Sequence, residues 1–378
     1  MDYRKLMEFY RDKRVLLTGH TGFKGSWMCR VLSLAGAQVC GYSLEPQTEP
    51  ALFDLVGIAG NENIRTVIGD IRDYDSLKAV FDEFKPEIVI HMAAQPIVRE
   101  SYKEPRYTFE TNVMGTVNVC ECVRLSKNSD DEDYEGVRSF LNVTTDKVYL
   151  NKERGKRGYK ETDALDGYDP YSNSKSCSEL VTHSYMNSFL AEEGIAVSTA
   201  RAGNVVGGGD FAKDRIVPDC VKAAMDGREI IVRNPYSIRP YQHVLEPVFA
   251  YLMIAKEQYD NIELAGWYNV GPDDKDCIKT GHLVRIFTDC WDSAKWKSGT
   301  EKKPPHEAEF LRLNCDRIKS TFGWRPVWSI DKAIEKTVEF SQLIEKRWGR
   351  GVQPQLIECM DKQIDEFIND AKDTENEQ

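Results

Sequence analysis

The chain has 378 residues, 41% of them apolar, and a formal charge of −11. That length supports two to three domains, or one large fold carrying a lobe, with a core that needs no disulfide or metal staple. The acidic balance argues against nucleic acid and anionic membranes as partners, and no apolar run approaches the roughly 20 residues of a membrane span.

Residues 15–18 form a short apolar run before a glycine turn, the pattern of a buried parallel strand. Helical spacing follows over 26–35, then a strand at 38–42, a strand near 65–68, a helix near 75–84 and a strand at 88–91. A long helix is expected over 106–126, a strand over 140–143, a second long helix over about 172–191 and a strand at 196–200. This alternation predicts an α/β fold, a doubly wound parallel sheet of the Rossmann type. After Gly207 glycine, proline and asparagine become frequent, and shorter, more separated helices are expected in a smaller, mixed C-terminal lobe. The last amphipathic stretch, 356–371, sets Met360, Ile364, Phe367 and Ile368 on one face. The expected division is 1–203 for dinucleotide binding and catalysis, 204–350 mainly for the substrate and interleaved with the sheet, and 351–378 for a C-terminal helix and acidic tail.

Ten cysteines include no Cys-x-x-Cys; the closest pair is Cys120 and Cys122. Zinc-ligand spacing is missing, no metal site is expected, and the thiols read as small buried hydrophobes. With no signal-peptide pattern, a reducing cytoplasm is the expected location.

Gly19, Gly22 and Gly25 lie between the first strand and the first helix. Glycines there permit a tight turn and close approach of backbone to a pyrophosphate, with the helix N-terminus facing the anion. Three glycines also mark ordinary turns, and it is their place between strand and helix that predicts a dinucleotide site. Glu45 stands where a carboxylate binds the ribose hydroxyls of NAD, or is an exposed loop residue before Pro46. No Arg or Lys occurs between Arg30 and Arg65, so NAD is expected in preference to NADP. Asp70, with Ile71, follows the third strand and either meets the adenine or caps a turn.

Tyr171 and Lys175 are four apart, on one face of a helix. A lysine cation beside a phenol lowers its pKa and makes tyrosinate available as a base, although such a pair is common by chance on surfaces. Thr144, Thr145, Asp146 and Lys147 close the preceding strand, at the sheet end where such folds bind ligands; Asp146 alone would read as a turn carboxylate.

The glycine turn, Asp70 and Ile71, the run from His91 to Gln95, Asn112, the Thr145–Asp146–Lys147 triplet and the Tyr171/Lys175 pair together resemble extended short-chain dehydrogenases/reductases. Strings beginning at Arg201, Lys213, Arg233, Asn269 and His306 are similar to the CDP-glucose 4,6-dehydratase family, over about residues 10–345 and not the last thirty. Thr145, where that family often has serine, the unexpected makeup of 151–158 and Tyr241 depart from its usual pattern.

The resemblance implies tightly held NAD, regenerated at each turnover, with Gly19, Thr21, Gly22, Phe23, Gly25, Asp70, Ile71, Ala93, Ala94, Gln95, Asn112, Tyr171 and Lys175 around it. It implies Tyr171 as base at O4, Lys175 as its partner, Thr145 on the forming carbonyl, Asp146 as acid at C6 and Lys147 as base at C5. A neutral Lys147 is then required, with its pKa lowered by burial or nearby positive charge. The implied substrate is a CDP-hexose held by Asn204, Arg215 and Arg239, with His243 and His306 as further contacts or as packed histidines. A homodimer or tetramer built on the two long helices as a four-helix bundle is also implied. A nucleotide-sugar epimerase of the same fold would keep the tyrosine, lysine and glycine turn but has no need of Asp146 and Lys147. A cofactor-binding regulator that had lost catalysis would be expected to lose Tyr171 or Lys175.

Overall fold

Val15, Leu16 and Leu17 have no exposed surface, as a strand covered on both faces requires. They form β1 (Arg14–Thr18), an interior strand of a seven-stranded sheet. The computed structural model describes residues 2–129, 131–152, 157–299, 311–347 and 353–376. The other strands of the sheet are β2 (Gln38–Ser43), β3 (Ile64–Ile68), β4 (Ile88–His91), β5 (Ser139–Thr145), β6 (Ala196–Ala202) and β7 (Trp267–Val270). Their order is β7-β6-β5-β4-β1-β2-β3, and every pairing is parallel. The chain reverses direction across the sheet between β1 and β4, so a crevice opens at the carboxyl ends of those strands.

The first half follows the sequence pattern closely: α2 (Phe23–Leu34) after α1 (Tyr3–Tyr10), then α3 (Tyr74–Phe84), α4 (Gly115–Leu125) and α5 (Pro170–Tyr185). The short α1 was not expected; Tyr3, Leu6 and Tyr10 bury one face of it, and Asp2 caps it by accepting from the Arg4 N–H. The helix expected over 106–126 is interrupted: Pro105–Phe109 passes through a π turn, Glu110–Met114, before α4 begins. The second long helix likewise ends in a π turn, Met186–Leu190. π turns widen the helix by one residue and concentrate near functional sites. The first of these carries Asn112.

The second half departs from the expectation of short helices. After α6 (Ile216–Met225) come α7 (Leu245–Asp260), α8 (Thr280–Cys290), α9 (Ile330–Arg347) and α10 (Gln353–Asn376). All residues of α7 from Leu245 to Ala255 are buried, and the helix packs on β5 and β6. A helix apolar on every side lacks the one-sided spacing by which surface helices are found. β7 also belongs to the main sheet, so the chain returns to the first core after visiting the smaller lobe. That lobe holds a three-stranded sheet (Cys277–Lys279, Ile238–His243, Asn204–Val206) and a two-stranded one (Ile230–Val232, Trp296–Ser298). Met360, Ile364, Phe367 and Ile368 on α10 are buried in the main core, where Phe367 stacks on Phe249 with centroids 5.2 Å apart. None of the ten cysteines is paired, and seven are buried. No described helix is long and apolar enough to cross a membrane.

Candidate active site

The crevice is a cleft of about 2590 Å³. This exceeds the roughly 300–1,000 Å³ of an ordinary ligand pocket and has room for two nucleotide-sized molecules. The turn after β1 and the carboxyl ends of β2 and β3 line one side; Arg215, Arg233 and Arg239 of the smaller lobe line the other.

The three glycines of the turn have different reasons to be glycine. Gly19 has φ +79°, and a Cβ there would sit 2.8 Å from the Ala93 nitrogen. A Cβ on Gly25 would meet the Gly19 oxygen at 2.2 Å. At Gly22 a Cβ would meet only that oxygen, at an ordinary 3.5 Å, so this position is open toward the cleft. Gly22 is also the N-cap of α2 and offers no side-chain cap, leaving first-turn N–H groups free of side-chain acceptors. These are the features a pyrophosphate needs, and the turn fits a dinucleotide. Thr21 buttresses it, bonding the Ser43 hydroxyl and the Leu44 carbonyl, each at 2.8 Å. Phe23, Ile71, Ala93, Ala94 and Gln95 line the cleft. Asp70 lines it too, but its carboxylate is engaged by Arg72, Nη2 to Oδ2 2.6 Å, which holds its pKa below the usual value. Glu45 is exposed at the rim. Asn112 does not line the cleft: the Gln95 N–H donates to its Oδ1 at 2.8 Å, and its amide donates to the Ser174 hydroxyl at 2.9 Å. It therefore clamps the loop after β4 onto α5.

The carboxyl end of β5 carries a buried polar cluster at the cleft. The Thr145 hydroxyl donates to Asp146 Oδ1 at 3.0 Å, and Lys147 Nζ donates to the same oxygen at 2.9 Å and to Asn204 Oδ1 at 3.3 Å. Asp146 has no exposed surface, and its Oδ2 is buried without a hydrogen-bond partner. An unpartnered buried carboxylate oxygen carries the full desolvation cost, so a ligand donor there is strongly favoured.

Two electrostatic expectations are corrected. Burial alone would lower the Lys147 pKa, but the adjacent Asp146 and Tyr171 outweigh it and leave the ammonium above its ordinary value. Burial raises the Tyr171 pKa, and the cations opposing that rise are Lys147 and Arg215 rather than Lys175. Lys175 Nζ instead donates to the Val143 carbonyl at 3.0 Å, and burial lowers its pKa to about 8 against the pull of Glu179.

Beneath this cluster lies a buried network the sequence did not announce. Glu179, one turn beyond Lys175 on α5, accepts from the Thr144 and Thr199 hydroxyls and from both Nε and Nη2 of Arg201, each at 2.9 Å. Arg201 Nη1 donates to the Tyr149 hydroxyl at 2.9 Å. These contacts hold Glu179 well below the usual carboxylate range despite its burial.

Among the substrate candidates, Asn204, Arg215 and Arg239 line the cleft. Arg215 contacts Asp210 at 3.2 Å, and Arg239 Nη1 donates to the Ile238 carbonyl at 3.0 Å. His243 is not brought there. It is fully buried between Trp27 and Trp328, and its Nδ1 accepts from the Leu245 N–H, so it is a packed core histidine. His306 lies outside the described residues. Lys24, Arg99 and Arg233 also line the cleft and were missed. A lysine set between Gly22 and Gly25 was the available signal for the first, and Arg233 opens one of the strings that carry the family resemblance; Arg99 has no local signature.

The family profile described as GDP-mannose 4,6 dehydratase matches residues 16–337. The chain belongs to that family. A CDP-glucose 4,6-dehydratase of Salmonella typhimurium is 41% identical over 96% of this chain and 98% of its own length, so the likeness reaches into the last thirty residues as well. A probable dTDP-glucose 4,6-dehydratase of Sinorhizobium fredii is 26% identical over 89% of this chain and 94% of its own. Among solved structures, a dTDP-glucose 4,6-dehydratase from Bacillus anthracis in complex with NAD matches with TM-score 0.69 and 19% identity, covering 90% of this chain and 99% of that one. A Thermus thermophilus UDP-glucose 4-epimerase complex with NAD matches with TM-score 0.73 and 23% identity over 87% and 99%. The two structural likenesses establish the shared fold, and dehydratase and epimerase share it alike. What distinguishes the chemistry of a 4,6-dehydratase is the acid and base it needs beyond the oxidising pair.

Proposed function

We propose that the protein converts CDP-D-glucose to CDP-4-dehydro-6-deoxy-D-glucose and water, in deoxysugar biosynthesis. The observation that carries this reading is the Asp146–Lys147 pair, set beside Tyr171 at the end of β5. An epimerase needs the tyrosine but not the pair. The CDP-glucose relative, similar along nearly its whole length, supports the choice of nucleotide.

The glycine turn, Asp70, Ile71, the loop 93–95 and Lys175 would hold NAD, which would supply the hydride acceptor for C4 and the hydride donor for C6. Tyr171 takes the O4 proton, and Thr145 donates to the C4 oxygen as it becomes a carbonyl. The carbonyl acidifies the C5 proton. Lys147 is charged in the resting pair, so it becomes a base by passing a proton across the 2.9 Å contact to Asp146. That single transfer yields a neutral amine to take the C5 proton and a carboxylic acid to protonate the leaving C6 hydroxyl. Substrate bound over the pair would remove the water that still reaches Lys147, which favours two neutral groups over two charges. Asn204, Arg215 and Arg239 hold the sugar diphosphate, with Arg supplying paired donors to phosphate oxygens.

We also read 1–203 as the dinucleotide and catalytic unit, 204–350 as mainly substrate-binding, and 351–378 as a C-terminal helix and tail. A homodimer through α4, α5 and the π turns that adjoin them is supported by Met114, Leu180 and Phe189, which are 51%, 55% and 44% exposed. Ten unpaired cysteines fit a reducing compartment, the cytoplasm.

The test is incubation with CDP-, dTDP-, UDP- and GDP-glucose, followed by product mass. Loss of one water from CDP-glucose is expected. A product of unchanged mass from every donor would replace this reading with the epimerase.

A further inference from the structure

Lys24 belongs to the glycine turn itself, at the second position of α2. A lysine there would ordinarily point its ammonium to water. Here the half-buried side chain folds inward and lines the cleft. Its Nζ meets the hydroxyl of Tyr251 on α7 at 3.4 Å and lies 5.4 Å from that ring's centroid. Among the described residues no carboxylate lies within ion-pair distance of it. The charged groups that face it are Arg215 at the start of α6 and Lys175 on α5, both repelling it, and Asp146 after β5, which attracts it. Burial and then the two cations bring its pKa down to about 7.

Around Lys24 itself two cations thus stand against one acid, Asp146, whose Oδ1 is already taken by Lys147. A cation placed without an acid in such a group is matched by an anion that arrives with the ligand.

We propose that Lys24 is a further cofactor-binding residue, which takes up a proton as the dinucleotide's diphosphate enters the cleft and then pairs with it. The proposal rests on reading the turn as a dinucleotide site and is independent of the sugar chemistry. Empty, the amine is largely neutral above pH 7. An anion brought beside it restores the charged form, so binding and protonation are linked. At pH 8 binding draws in about one proton per site, and at pH 6, where Lys24 is already charged, it draws in almost none.

The experiment is calorimetric titration of the protein, freed of any co-purified dinucleotide, in buffers of different ionisation enthalpy. The ligands are NAD and ADP-ribose, which carries the same diphosphate without the nicotinamide. Both should show uptake at pH 8 in the wild type. Lys24→Met should lose that uptake and bind about 10- to 100-fold more weakly. Lys24→Arg, charged at every pH used, should lose the uptake while keeping near-wild-type affinity, which also separates the effect from misfolding. Equal uptake in wild type and Lys24→Met would overturn the proposal, as would uptake with NAD but none with ADP-ribose. If neither ligand binds the wild type, the turn is not a dinucleotide site and the underlying reading fails first.

Discussion

Two buried polar clusters share the carboxyl-terminal half of β5, and they differ in one respect. The lower one, Glu179 with Arg201, Thr144 and Thr199, is closed: both carboxylate oxygens receive donors. The upper one, Asp146 with Lys147 and Thr145, is open: Oδ1 is shared by two donors and Oδ2 has none. A satisfied buried network lowers the energy of the fold and pins its geometry. An unsatisfied one costs stability and gains its partners from a ligand. Substitutions in the two clusters should therefore fail in different ways.

The largest effect is expected just beside the open cluster. Tyr171→Phe should lower C4 oxidation by about 10⁴-fold, read as reduced cofactor formed from bound CDP-glucose, with thermal stability nearly unchanged. Retained turnover would remove Tyr171 from its assigned place.

Asp146→Asn and Lys147→Met keep Tyr171 and should still oxidise C4. They should then stall, at a cost of about 10² to 10⁴ in overall rate, accumulating reduced cofactor and a keto-sugar that has lost no water. Single-turnover absorbance together with sugar mass checks this. Asp146 is fully buried and its Oδ2 has no partner, so Asp146→Asn removes a desolvation cost along with the pair, and its melting temperature should move little.

The closed cluster should behave in the opposite manner. Glu179→Ala leaves the guanidinium of Arg201 buried and unpaired, and should cost about 3–5 kcal/mol in denaturant unfolding. A loss no greater than that of Asp146→Asn would erase the distinction between the clusters.

Gly22→Val places a branched side chain at the open position of the phosphate turn and should weaken NAD binding about 10- to 100-fold by titration, with NAD still preferred to NADP. The fold should tolerate it, since a Cβ there meets only the Gly19 oxygen at 3.5 Å.

The smallest effect concerns a third buried carboxyl. Glu246 on α7 accepts the N–H groups of Val327 and Trp328 through Oε1, and its Oε2 has no partner. Burial, opposed by those two N–H groups, pushes its pKa up to about 8. A carboxyl whose folded pKa is raised contributes stability that is complete below its unfolded value and is lost as pH rises through the folded one. Unfolding free energy should thus fall between pH 6 and 8 by up to about 1.4 kcal/mol per unit, and Glu246→Gln should flatten that slope. A slope unchanged in the variant would place the titration elsewhere.

The first half of the fold was legible because its signals are local. β1, α2 and β2 follow from an apolar run, a glycine turn and a helical period within a few residues of one another, and the spacing of Tyr171 and Lys175 needs only a helix. α7 was not legible, because a helix buried all round has no polar face to mark its period. The sequence by itself determined the doubly wound sheet, the glycine turn between β1 and α2, and the placing of Tyr171 and Lys175 one helical turn apart. Tertiary structure alone decided which charges face one another. It turned Lys175 to the Val143 carbonyl, sent His243 into the core between two tryptophans and folded Lys24 inward. The physical reason is distance. Secondary structure is set by neighbours along the chain. The charge state of a buried group is set by whatever burial excludes and brings within a few ångströms, and those partners come from strands and helices tens to hundreds of residues apart.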